Sequence, residues 1–229
     1  MSENKELTVI YEINGDEIKL TPSIVQNFLV GSNSKITLPD FKMFTELCKE
    51  RKLNPFLKEA YCVKYGDQPA QLIVSKDIFL KRAILHPDYD GMSSGVIVQV
   101  IKTGEIIKRE GMFWIASEET VVGAWATVYR KSWTHPRYIS VSYGEVCQKT
   151  KDGKPNANWR DKPATMSEKV AKVRALREAF VEDLGGLYSS DEIGTDDVSD
   201  IIIPDNEEVT FLNSEDDSEV DEQITLEDL

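Results

Sequence analysis

The spacing of apolar residues changes along this chain, and each change predicts an element. Leu7–Ile13 and Asp16–Leu20 alternate on either side of Asn14-Gly15, a hairpin signal. Thr21-Pro22 reads as the cap and first position of a short helix ending at Gly31. Helical spacing returns over Leu38–Lys52, with Phe41, Phe44, Leu47 and Cys48 on one side and Asn54-Pro55 as the stop. Ala60–Tyr65 and Gln71–Val74 flank Gly66-Asp67 as a strand pair, and Ser75 caps a helix running to about His86. The middle is strand-rich: Gly95–Lys102, Glu105–Arg109, Met112–Ser117, Val121–Lys131 and Arg137–Tyr143 follow at short spacing, which predicts an antiparallel meander. In the last of these Arg137, Ile139 and Val141 alternate with Tyr138, Ser140 and Ser142, so one face is wet.

Beyond a polar loop, Gln148 to Lys162, comes the best-signalled helix. Met166, Val170, Val173, Leu176, Phe180 and Leu184 share an arc of about 120°, a core-facing stripe. Thr165-x-x-Glu168 reads as a capping box after Pro163, and Gly185-Gly186 as the stop. Lys169 and Arg177 project within the stripe, with Lys172 and Arg174 beside it. Because an unpaired buried cation is costly, the helix is expected to seal a core along part of its length and line a positive groove along the rest. Snorkelling side chains with solvated heads are the alternative. These elements make an α+β protein: an N-terminal hairpin and helical lobe over 1–58 that packs on the main domain or on a neighbouring subunit, an α+β core over 59–188, and a tail over 189–229.

Charge sharpens that division. The net charge is −13, yet from Ser189 onward there are 16 acidic residues and no Lys or Arg, leaving residues 1–188 at +3. Val128 to Arg177 alone holds 12 basic and 4 acidic residues. A basic segment ahead of an acidic tail is the asymmetry of a nucleic-acid binder with a separate regulatory or docking segment. The tail has only short apolar islands (Ile201–Pro204, Val209–Leu212, Ile224–Leu226), a composition that predicts disorder. No apolar run approaches ~20 residues, so no membrane partner is expected. Three widely spaced cysteines and an N-terminus without signal-peptide regions point to reduced thiols in the cytoplasm.

Catalytic patterns are sparse. The two histidines, His86 and His135, each stand beside a proline, no Cys/His spacing suggests zinc, and no P-loop is present. Pro87-Asp88 followed by Asp152-Gly153-Lys154 matches the outline of a Mg²⁺-dependent nuclease, which would require Asp152 on a strand beside Asp88. Binding is better supported. Arg130, Arg137, Lys149, Lys151, Lys154, Arg160 and Lys162 are interleaved with Trp133, Tyr138, Tyr143 and Trp159. Cations neutralise phosphates with release of counterions, and aromatic faces stack on unpaired bases. Trp159, in the polar loop, is expected to present its ring.

Leu53-Asn54-Pro55…Glu59-Ala60-Tyr61, the hairpin and short Lys/Arg helix, the strand-rich middle, and Trp159…Met166-x-x-Lys169…Arg174…Arg177 together resemble the RecT family, the phage single-strand annealing proteins related to the Redβ recombinase. The resemblance spans roughly residues 38–188. It implies a groove for single-stranded DNA, with Lys169, Arg174 and Arg177 on phosphates and Arg160 and Lys162 at its mouth. It also implies ATP-independent annealing by rings or helical filaments, contact with the nascent duplex, and no catalysis. No cofactor is expected, Mg²⁺ being at most modulatory. The tail would compete for the groove or meet a companion exonuclease or the host single-strand-binding protein. A nuclease and a single-strand shield without annealing activity are the alternatives.

Overall fold

The computed structural model describes residues 7–30, 35–64, 69–190 and 192. Strands β1 (Val9–Ile13) and β2 (Asp16–Leu20) pair antiparallel, with Asn14 and Gly15 at φ +53° and +92° as a two-residue type I′ turn requires. Thr21 caps α1 (Pro22–Ile24) by accepting from the Ile24 N–H, and the chain continues as a π-helical turn to Leu29. The expected stop at Gly31 lies outside the described residues.

Helix α2 (Leu38–Glu50) opens on a capping box that sequence spacing alone did not single out. Thr37 accepts from the Asp40 N–H, and Asp40 accepts from the Thr37 N–H at 2.8 Å. The same carboxylate lies 2.6 Å from Lys64 Nζ and 3.0 Å from the Ala70 N–H. One buried aspartate thus ties the start of α2 to the ends of β3 (Ala60–Val63) and β4 (Gln71–Val74). The Leu53-Asn54-Pro55…Glu59 segment is a second tie: Asn54 caps the turn Pro55–Leu57, while Glu59 accepts from the Asn54 N–H and pairs with Lys81 of α3 (Lys76–Leu85). Lys52 and Lys58 take left-handed conformations around it.

A four-stranded antiparallel sheet follows: β5 (Tyr89–Val100), β6 (Ile106–Lys108), β7 (Glu119–Arg130) and β8 (Arg137–Ser142), in the order β6-β5-β7-β8. β5 begins six residues before the expected Gly95, because the small and polar run Asp90–Ser94 hid it and a bulge follows Tyr89. Met112–Ser117, expected as a strand, is irregular. The chain leaving β6 folds back over β5 at Gly95, where any Cβ would collide with the Arg109 carbonyl. That carbonyl accepts from Trp125 Nε1 at 2.9 Å, and the detour carries the chain to the far side of β5 before β7 begins.

Short helices α4 (Tyr143–Val146) and α5 (Ala157–Asp161) lead into α6 (Pro163–Ala179) and α7 (Val181–Leu184). One continuous apolar cluster contains Leu20, Phe41 and Phe44 from the N-terminal elements, Phe79, Ala124 and Val128, and Val170, Leu176 and Leu184. The first 58 residues therefore share their core with the rest. At the other end the Val74 N–H donates to the Tyr188 carbonyl, Ser189 forms a parallel bridge with Val74, and Gln148 donates to the Ser190 carbonyl. Residues 189, 190 and 192, grouped with the tail on charge, are bonded to the body; 191 and 193–229, with their expected disorder, lie outside the described residues.

Asp40 is the most exposed of these ties to pH. Burial opposes its ionisation, but the Ala70 N–H, the Lys64 ammonium and Thr37 hold it well below the usual carboxylate range. A depressed carboxylate stabilises fully above its unfolded value of about 4, and that contribution is lost as pH falls below it. Asp40→Ala, which leaves the ammonium without its carboxylate in a buried site, should cost on the order of 3 kcal/mol. It should also weaken the dependence of melting temperature on pH below about 4.

Candidate nucleic-acid interface

Helix α6 is buried on most of its circumference. Its large apolar stripe forms as expected: Met166, Val170, Val173 and Leu176 are all buried. A second face is built from small residues, Ala164, Ser167, Ala171, Ala175 and Ala179, also buried. Two glutamates identify that face as the sheet side, since Ser94 of β5 donates to Glu168 at 2.7 Å and Arg137 of β8 lies 3.6 Å from Glu178. Ala164 packs with Val96, Val98 and Val121. The expected capping box is not used. The helix starts at Lys162 with Pro163 in its first turn, and Glu168 is committed to Ser94 and to Lys172 at 2.9 Å. The helix also stops sooner than Gly185. Phe180 leaves helical conformation (φ −126°, ψ +55°) to bury its ring against His86 and Tyr89.

The cations of α6 emerge at the seams between these two faces. Lys169 is half-buried and partnered within the fold. Lys172 pairs with Glu168. Arg177 donates to Glu192 at 2.6 Å and to the Leu187 carbonyl at 3.3 Å, with its guanidinium 4.7 Å from the centre of the Tyr188 ring. Arg174 approaches the same Glu192 at 3.9 Å. Before the helix, Lys149, Lys151, Lys154, Arg160 and Lys162 are exposed, Lys151 partnered within the fold and Arg160 paired with its neighbour Asp161. Thr150 and Lys154 close a tight turn through Gly153. Lys169 and Lys172 thus lie on one seam and Arg174 and Arg177 on the other, and the exposed loop that precedes the helix carries the more accessible charge.

Two expected members fall outside this arrangement. Arg130 is held inside the fold: it pairs with Asp88 at 2.6 Å and Glu182 at 2.7 Å, donates to the Ala179 carbonyl at 2.6 Å, and lies over the Phe180 ring. Its charge is neutralised where β7 meets the end of α6. Trp159 is fully buried on α5, its ring tilted against Tyr143. Asn156 caps that one-turn helix by accepting from the Trp159 N–H at 3.1 Å, a local signal present in Asn156-x-x-Trp159. The polar composition of the loop concealed it.

The remaining aromatics divide by strand alternation. Arg137 pairs with Val128 on the α6 side, whereas Tyr138 pairs with Thr127 on the outer face. There Trp125 and Tyr138 stack, and Lys108 Nζ sits 4.2 Å and 4.1 Å from the two ring centres. The exposed Tyr138 ring and the helix cations thus lie on opposite sides of the sheet. The nuclease outline fares no better. Asp88 accepts from Ser132 and Arg130, which lower its carboxyl to about 2, and Asp152 sits in an exposed turn rather than on a strand. No cluster of metal-ligating side chains occurs among the described residues.

A basic loop leads into a cation-edged helix seated on an antiparallel sheet, and the whole is an α+β protein. The sequence profile of the RecT family matches residues 17–206, and the chain belongs to that family, the phage single-strand annealing proteins of DNA recombination. No curated protein matches it. Among the described residues no helix is long and apolar enough to cross a membrane.

With Trp159 in the core, Trp159→Ala should cost about 3–5 kcal/mol of stability. Melting temperature should fall sharply while single-strand affinity per folded molecule is unchanged. A normal melting temperature with weakened binding would place the ring on a base instead.

Proposed function

We propose that the chain binds single-stranded DNA along the loop over 148–162 and the adjoining edge of α6, holds it with its bases available, and pairs it with a complementary strand without ATP or catalysis. The observation that carries this reading is that the exposed loop cations Lys149, Lys151, Lys154, Arg160 and Lys162 run directly into the helix that carries Lys169, Lys172, Arg174 and Arg177. Contacts from these cations to phosphates carry no base code, which suits a protein that must accept any sequence. Arg137, exposed at the edge of β8, extends the same side.

Annealing over useful lengths requires many protomers side by side, so the protein acts as a homo-oligomer, a ring or helical filament, that also grips the nascent duplex. Exposed apolar side chains suit subunit contact: Ile84 and Leu85 on α3 are 56 % and 74 % exposed, and Leu57, which shares a cleft with Leu85, is 66 % exposed. The protein works in the cytoplasm with no resident cofactor, Mg²⁺ at most tuning phosphate repulsion. A companion exonuclease and the host single-strand-binding protein are assigned to the C-terminal segment.

Binding to labelled oligonucleotides across a salt series tests the groove. Lys169→Ala and Arg174→Ala should each weaken binding for all sequences alike and flatten the log–log salt slope by roughly 0.7. Wild-type slopes in both folded variants would refute it. Strand pairing above the spontaneous rate with no nucleotide added should separate annealing from mere shielding. Asp88→Ala and Asp152→Ala should reveal no Mg²⁺-dependent strand shortening to lose. On long single strands at saturating protein, mass measurement should show assemblies, and Leu85→Asp should shrink them.

A further inference from the structure

Glu192, at the root of the acidic segment, is almost completely enclosed, its side chain 3 % exposed. One carboxylate oxygen lies 2.6 Å from Arg177 Nη1 and also accepts from the Ser189 N–H at 3.3 Å and the Ser189 hydroxyl at 3.4 Å. The other oxygen lies 3.9 Å from Arg174 Nε. Two guanidinium groups, a backbone N–H and a hydroxyl gathered around one anion are the donor types that hold a phosphodiester. Arg177 and Ser189 are anchored independently of the carboxylate. Arg177 also donates to the Leu187 carbonyl and lies on the Tyr188 ring, and Ser189 is set by its bridge to Val74. Removing the carboxylate would therefore leave a preformed anion site.

We propose that this site receives a backbone phosphate of single-stranded DNA, and that Glu192 is its internal competitor, occupying it in the free protein and displaced as DNA enters. The proposal rests on the reading of α6 as a wall of the DNA groove. The same donor atoms cannot serve the carboxylate and a phosphate together. Each DNA contact at Arg174 and Arg177 is therefore made against an existing ion pair, which lowers affinity for isolated short strands. The exposed loop cations Lys149, Lys154 and Lys162 supply the initial attraction.

The test uses the full chain, labelled oligodeoxythymidylate, and melting temperature as a control. Glu192→Gln keeps the side-chain shape and removes its charge. It should bind roughly tenfold more tightly at low salt, equivalent to about 1.4 kcal/mol. The gain should shrink in an Arg174→Ala background, since the two residues share one interaction. Unchanged or weaker affinity per folded Glu192→Gln molecule, alongside weakened binding by Arg174→Ala, would overturn the competitor and leave the groove standing. Wild-type binding by Arg174→Ala would overturn the proposed phosphate site, and wild-type binding by Lys169→Ala as well would overturn the groove reading itself. Should Glu192→Gln fail to fold, hydrogen exchange on the wild type decides. The Glu192 amide, bonded to the Ser189 carbonyl at 3.1 Å, should exchange faster when the DNA site is saturated, and unchanged or slower exchange would refute the displacement.

Discussion

The close seating of α6 on the sheet is the contact on which the remaining geometry depends. Its sheet-facing side consists of alanines and a serine, and the strand beneath contributes Ala124 and Ala126. Small residues let the helix approach until Glu168 reaches Ser94 and the Ala179 carbonyl reaches Arg130. The opposite side is filled with Met166, Val170, Val173 and Leu176, which complete the core shared with α2 and α3. A helix buried on two sides has little circumference left for charge. Its cations therefore lie along the seams, half-buried and each engaged.

That constraint explains why the end of the helix is elaborate. Arg130 takes the Ala179 carbonyl, which would otherwise continue the helical ladder, and Phe180 turns its ring inward beneath Arg130. Asp88 and Glu182 neutralise that arginine, and Ser132 completes the coordination of Asp88. The break redirects the chain through α7 and back along β4, where Ser189 joins the strand edge. The same return brings Glu192 to Arg174 and Arg177. Packing, helix termination and charge pairing are thus consecutive consequences of one helix position.

The electrostatic division of labour follows from burial. Loop cations over 149–162 are exposed and screened by salt, so they suit long-range attraction and weak, exchangeable contacts. Arg174 and Arg177 stand in a less hydrated setting where a bound anion is held more firmly. On the outer face of the sheet, Lys108 over Trp125 and Tyr138 forms a separate cationic and aromatic surface that strand alternation keeps away from α6.

Local rules determined a good part of this protein before any tertiary contact. The Asn14-Gly15 turn, the Ser75 and Thr21 caps, the wet and dry faces of β8, and the apolar stripe of α6 each follow from residues within a few positions of one another. The family resemblance was also legible in the sequence, because it rests on residue types in order. What local rules missed required partners distant in the chain. The alanine face of α6 carries no helical-moment signal, and only a sheet pressed against it reveals its purpose. The first residues of β5 are small and polar, which conceals the strand locally, yet pairing with β7 makes them strand. The polarity of its neighbours predicts an exposed Trp159, but burial of a ring is decided by what surrounds it in space. By position in the chain Arg130 belongs to a basic run and Glu192 to an acidic tail. Only the folded chain, bringing 88 to 130 and 192 to 177, settled which charges face solvent and which neutralise one another.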